Sequence, residues 1–145
     1  QVYFDDVFPN GYDIIWIERD PRVVVSSYIK QKWFYKRRPD ELTQLSELDK
    51  IKFYSEYYLK LYNESKNAEN RILVKYEDLC NEPHVFFKKL LSELELEFTE
   101  SFSIILDSWF LKQVSWLNYK DRYSKEGQEA FNNILKEPLA ELGYQ

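Results

Sequence analysis

The chain holds one cysteine, one histidine, three glycines, five prolines and no methionine in 145 residues. A single cysteine, Cys80, can form no disulfide within the chain; that removes disulfide-stapled folds and fits a reducing compartment. With one cysteine and one histidine at no ligand spacing, a metal centre has no support. So few glycines and prolines argue against a sandwich of many tight hairpins and for long helices with few breaks. No run of about 18 apolar residues occurs and no charged-then-apolar leader opens the chain, so neither a membrane span nor a secretory signal is predicted. A basic surplus is lacking too: 20 Lys and Arg against 25 Asp and Glu give a net charge of −5. That balance provides no global surface for nucleic acid. The expectation is a cytoplasmic domain with no nucleic-acid or membrane partner.

What the chain does have is aromatic and apolar mass. Hydrophobic residues make up 44%, including 12 tyrosines, 10 phenylalanines and 4 tryptophans, enough to fill one core at this length. Residues 2–8 read as the tail of a helix or a connector, closed by the turn Pro9-Asn10-Gly11. Ile14, Ile15, Trp16 and Ile17 run without alternation, which predicts a fully buried parallel strand over 13–18. Asp20 is placed as an N-cap and Pro21 at the first position of a helix reaching about Phe34. Leu45, Leu48, Ile51, Tyr54 or Ser55, Tyr58 and Leu61 recur at three- and four-residue steps, predicting a helix from about Leu42 to Tyr62. Arg71 to Tyr76 reads as a second buried strand. Asn81-Glu82-Pro83 opens a third helix, and a last one runs from about Lys125 to Leu142, kinked near Pro138 and closed by Gly143. Strand, long helix, strand makes a parallel crossover unit. Two strands alone leave a parallel sheet unfinished, so further strands from a longer chain or a partner are expected.

The chemistry concentrates at the end of the first strand. Arg19 stands at its C-terminal tip, where open α/β sheets bind ligands, and Ser27 lies eight positions on, in the following helix. A planar guanidinium and a hydroxyl converging with helix N-terminal donors suit a phosphate. The plain alternative pairs Arg19 with Glu77 or Asp78 at the end of the neighbouring strand. Tyr76, beside Arg19, can pack on a base or simply fill the core. Glu77 and Asp78 read as orienting groups more than as a catalytic carboxylate pair. The basic cluster Lys30, Lys32, Lys36, Arg37 and Arg38 either steers an anion or forms a solvated face. His84 reads as a surface residue at a helix start, Asp5 and Asp6 as solvated, and no Ser-His-Asp set is expected to assemble.

The order Arg-Asp-Pro-Arg-x-Val-x-x-Ser (Arg19 to Ser27), a long helix, Val-x-Tyr-Glu-Asp-Leu-x-x-x-Pro (Val74 to Pro83), and a terminal Leu-Gly-Tyr (Leu142 to Tyr144) resembles the C-terminal part of the sulfotransferases. These enzymes use 3′-phosphoadenosine 5′-phosphosulfate (PAPS) as donor and release 3′-phosphoadenosine 5′-phosphate (PAP). The resemblance runs from about Phe8 to Tyr144. It implies an α/β fold of the P-loop NTPase-like, three-layer α/β/α kind, with an incomplete parallel sheet and a helix-rich C-terminal portion. Residues 1–145 then form the C-terminal part of one sulfotransferase domain. It implies Arg19 and Ser27 on the 3′-phosphate and Tyr76 beside the adenine. Family members also place an aromatic near the adenine and a basic segment on the 3′-phosphate. Ser108-Trp109-Phe110 (Ser108 and Phe110 as candidates) and Lys120-Asp121-Arg122 (Lys120 and Arg122) occupy suitable positions, with aromatic core and surface charge as the plain alternatives. Val23 departs from the acidic residue that members often carry. The family's Pro-Lys-Ser/Gly-Gly-Thr phosphosulfate loop does not occur in these residues, nor does G-x-x-x-x-G-K-[ST]. Its catalytic base lies upstream of the first motif, so no catalytic residue is assigned here. The chain is therefore expected to anchor the donor without turning over alone. The acceptor would be a small molecule or carbohydrate bearing a hydroxyl or amine. A non-catalytic nucleotide-binding or interaction domain, or a P-loop kinase relative, are the competing expectations.

Overall fold

The computed structural model describes residues 13–31, 42–66, 71–108 and 115–144. Among them the order is β1 (Ile14–Glu18), α1 (Pro21–Gln31), α2 (Glu47–Lys66), β2 (Arg71–Lys75), α3 (Tyr76–Asn81), α4 (Pro83–Glu93) and α5 (Glu100–Ser108). Two short 3₁₀ turns, Trp116–Asn118 and Lys120–Arg122, lead into α6 (Lys125–Ile134) and α7 (Lys136–Leu142). The described protein is a helix-rich α/β structure whose two strands pair in parallel, with Ile14 opposite Arg71 and Glu18 opposite Lys75. Residues 2–11 and the basic positions Lys32, Lys36, Arg37 and Arg38 lie outside the described residues, as do Asp5 and Asp6.

The core lies among the helices. Val23 and Val25 of α1, Ile51 and Tyr54 of α2, Phe131 of α6, and Leu135 and Leu139 at and after the α6–α7 junction are buried together with Trp116. Val23, the departure from the family pattern, is fully buried in this cluster, where a carboxylate would need a partner. The ring of Phe131 meets Trp116 and Tyr123 edge-on at 5.0 and 4.9 Å. Polar ties hold α2 to the C-terminal helices at both ends. Glu47, at the start of α2, accepts from the Ser124 backbone N–H and hydroxyl at the start of α6. Lys66, the last residue of α2, pairs with Glu137 and Glu141 of α7. The α6–α7 unit therefore runs alongside α2 in the same direction. The fit is close at Gly127, where an added Cβ would lie 2.6 Å from Glu47 Oε1.

Two expectations need correction, and a third gains a definite place. The strands are not fully buried: Ile15, Ile17 and Leu73 are 44%, 55% and 47% exposed. An apolar run identifies residues suited to burial, but two strands and their helices do not cover both faces of a parallel sheet. Tyr76 does not end β2 but begins the short helix α3, and α5 is a further helix beyond the predicted set. The kink expected near Pro138 is present, as a break at Leu135. A proline lacks the N–H that would reach the carbonyl four residues back, and its ring crowds that carbonyl. The disruption therefore falls at Ile134 and Leu135.

Candidate functional site

The corner after β1 is built by Asp20. Its carboxylate accepts from the Arg22 backbone N–H at 2.9 Å, and its own carbonyl takes the N–H groups of Val23 and Val24. Pro21 has no N–H to place. The Asp20 side chain also binds Arg22 through Nε and Nη2 at 3.1 and 2.8 Å, and Arg22 Nη1 donates to Asn132 on α6 at 3.0 Å. Both members of this pair are buried, so removing either would leave an uncompensated charge, a loss of about 3–5 kcal/mol. One expectation changes as a result. The first N–H groups of α1 are already occupied by Asp20, so an anion at this corner would have to be met by side chains.

Arg19 lies between that cap and α3. Its guanidinium sits 4.2 Å above the centre of the Tyr76 ring, so the residue after β1 and the residue after β2, both singled out by sequence, are brought together. Burial raises the Tyr76 phenol, Cys80 adds to the shift, and Arg19 opposes it. Glu77, offered above as a partner for Arg19, accepts the hydroxyl of Tyr144 at 2.8 Å. Tyr144 arrives there through the end of α7. Gly143 takes the left-handed conformation at φ +78°, its N–H bonds the Ala140 carbonyl, and the Tyr144 N–H bonds the Leu139 carbonyl at 2.8 Å. That pair of bonds is a Schellman ending, and glycine is the residue that takes its positive φ without strain.

Ser27 is half-buried on α1, about 9 Å along the helix from Pro21 at 1.5 Å per residue. Lys120 and Arg122 ride on the turn between Trp116 and Tyr123, which is fixed against the same helix. Arg22 lies 5.4 Å over Trp116, and Trp116 stacks on Tyr123 at 6.0 Å. The basic turn thus follows a segment that packs on α1 through Arg22, Val23 and Val25. Arg122 itself stacks over Tyr119 at 4.6 Å. Ser108 is placed elsewhere: α5 packs on α4 through Phe87, Phe98 and Phe102, and the Ser108 hydroxyl donates to its own helix at Ile105. No contact among the described residues joins Ser108 to Arg19. Phe110 and Trp109 lie outside the described residues.

Sequence reasoning missed two arrangements. Asn132, bound by Arg22, and Tyr144, bound to Glu77, brace the corner from the far end of the chain. A second cluster contradicts the expectation that no serine, histidine and aspartate would assemble. His84 Nε2 is 2.8 Å from Asp107, and its Nδ1 is 3.4 Å from the Ser103 hydroxyl. Ser103 and Asp107 are one helical turn apart on α5, a spacing that puts them on one face, and α4 supplies the histidine. Asp107 is 69% exposed, and the cluster ties α4 to α5.

The family model described as the sulfotransferase family matches residues 4–100, about two thirds of the chain. The chain belongs to the sulfotransferase family. That match contains Arg19, Ser27 and Tyr76 of this sulfotransferase-family chain, whereas Ser108, Lys120, Arg122 and Tyr144 lie beyond it. Comparison with curated proteins and with solved structures gave no match. Among the described residues no helix is long and apolar enough to cross a membrane.

Proposed function

We propose that these residues anchor the donor of a sulfuryl transfer, PAPS, through its 3′-phosphate and adenine, within a P-loop-like α/β fold. The observation that carries this reading is Arg19 held over Tyr76 at the carboxyl end of two parallel strands. A guanidinium offers a flat pair of donors that matches a phosphate. Resting on an aromatic ring stabilises it by about 0.5–2 kcal/mol. It also fixes the fork before the ligand arrives, so less freedom is lost on binding. The donor set fits the ligand: a fixed cation for the 3′-phosphate, an aromatic ring for the base, and Ser27 with the Lys120–Arg122 turn along the same helix. Tyr76 contributes a flat face to the adenine while its position keeps water from one side of Arg19.

In the reaction the sulfuryl group leaves the donor phosphate oxygen as a bond forms from its sulfur to an acceptor hydroxyl or amine. The residues described here do not touch that sulfur. They hold the opposite end of the nucleotide, and holding reactants in line supplies a large part of such a rate. The phosphosulfate loop and the base are separate requirements that no residue of this site fulfils.

Calorimetric titration with PAP and with AMP tests the reading, because the two differ by the 3′-phosphate. PAP is expected to bind tighter, and Arg19→Ala to weaken PAP by about 10- to 150-fold, equivalent to roughly 1.5–3 kcal/mol for a charged hydrogen bond. AMP binding should change little. Equal affinity for PAP and AMP, or an Arg19→Ala protein that binds PAP normally, would overturn it.

A further inference from the structure

We infer that the exposed face of α5 is an interaction surface whose partner is a second copy of this chain, docking there through its basic, aromatic segment 30–38. The inference is independent of the nucleotide site and takes up two features which that site leaves unused.

The first feature is α5 itself. Phe102 and Leu106, one turn apart, form its inner side: Phe102 packs on Phe87 and Phe98, and Leu106 is 2% exposed. The opposite side carries Ser101, Ile104, Ile105 and Ser108, spaced three and four apart and all exposed. Ile104 and Ile105 are 64% and 50% open to water, and Leu96, just before the helix, is 58% open. Adjacent apolar side chains within a polar rim mark a surface that another protein covers. In the single chain they stay open, so the cover comes from a second molecule.

The rim is acidic. From Glu93 to Asp107 there are five carboxylates and no lysine or arginine. Glu93 is met by Lys89 at 3.9 Å and Asp107 by His84. Glu95, Glu97 and Glu100 are exposed and have no ion pair among the described residues. Glu95 also takes a positive φ of 56° just past the end of α4, where glycine is the unstrained choice. A charge is kept there at the expense of backbone strain.

The second feature is segment 30–38, Lys-Gln-Lys-Trp-Phe-Tyr-Lys-Arg-Arg. It carries five cations, no carboxylate and three consecutive aromatics, and its first residue, Lys30, is exposed in the last turn of α1. That composition is the complement of an acidic rim around an apolar stripe: cations meet the unpaired glutamates and aromatics cover the isoleucines. Each copy offers both surfaces, so two identical contacts close a symmetric dimer.

Sedimentation velocity of the full 145-residue chain at about 50 and about 500 mM salt tests this, because surface charge pairs are screened across that range. A dimer is expected at low salt and should dissociate at high salt. Glu95→Lys with Glu97→Lys should weaken the dimer about 100-fold by setting like charges against each other. Lys36→Glu with Arg37→Glu should do the same. An equimolar mixture of the two reversed proteins should dimerise as tightly as wild type, because both contacts then pair opposite charges again. Ile104→Ser, which leaves every charge in place, should weaken the dimer about tenfold. Wild type that stays monomeric at low salt overturns the inference. So does a dimer indifferent to the two reversals, or one that mixing the reversed proteins fails to restore.

Discussion

The helical half and the sheet half of this protein are packed to different standards. Phe131, Val23, Ile51 and Tyr54 are closed to water altogether, and α2 is tied to α6 and α7 at both ends. Around β1 and β2 the strand side chains Ile15, Ile17 and Leu73 remain about half exposed. On the function proposed above, the difference separates stability from binding. Burial on the helical side supplies the free energy of folding, while the carboxyl ends of the strands keep the charged groups at a surface where a ligand can reach them. The candidate site lies on the boundary, with Arg19 leaving the sheet and Asp20, Arg22 and Tyr144 bracing it from the helices.

The sharpest way to break this contrast is a matched pair of substitutions. Phe131→Ala, within a filled aromatic cluster, should cost about 3–5 kcal/mol, whereas Ile17→Thr on the exposed strand should stay within about 0.5 kcal/mol. Urea unfolding of both variants measures the difference, and similar losses at the two positions would erase the contrast. A smaller effect comes from the tyrosines that border the core. Burial and the bond to Glu141 push Tyr62 up to about 12, and burial raises Tyr58 and Tyr144 further. In the unfolded chain these phenols ionise near 10. Above about pH 10 the unfolded state therefore loses protons that the folded state keeps, and stability falls as pH rises through that window. Below it these groups add no pH dependence. Tyr62→Phe should reduce the alkaline slope by about one proton, read from melting temperatures between pH 9 and 11; an unchanged slope would show that Tyr62 ionises alike in both states.

Much of the corner was legible in the sequence because its determinants are local. An apolar run followed by Arg19-Asp20-Pro21 specifies strand, tip, cap and first helical turn in order, and the structure places all four there. Arg19 and Tyr76 meet because parallel strands align their ends, which spacing alone implies. What was hidden depends on distant partners. Nothing near Glu77 announces Tyr144, and nothing near Asp20 announces Asn132, 110 residues beyond Arg22. His84, Ser103 and Asp107 gave no signal because their meeting depends on how α4 packs on α5. The strand exposure was misread for a similar reason: hydrophobicity records what a residue tolerates, and the neighbours decide what covers it. The kink near Pro138 was legible locally, and the break it causes falls at Leu135.

Hydrogen exchange of the full chain with and without PAP tests most directly where the ligand sits in this divided structure. Amides of α2 and α6 should exchange only with global unfolding and remain unaffected beyond the overall stabilisation. Added protection from PAP, and less from AMP, is predicted at the end of β1, the first turns of α1 and the Tyr76–Asn81 helix. Protection centred on α4 and α5, or none at saturating PAP, would contradict a donor site at the carboxyl ends of the strands.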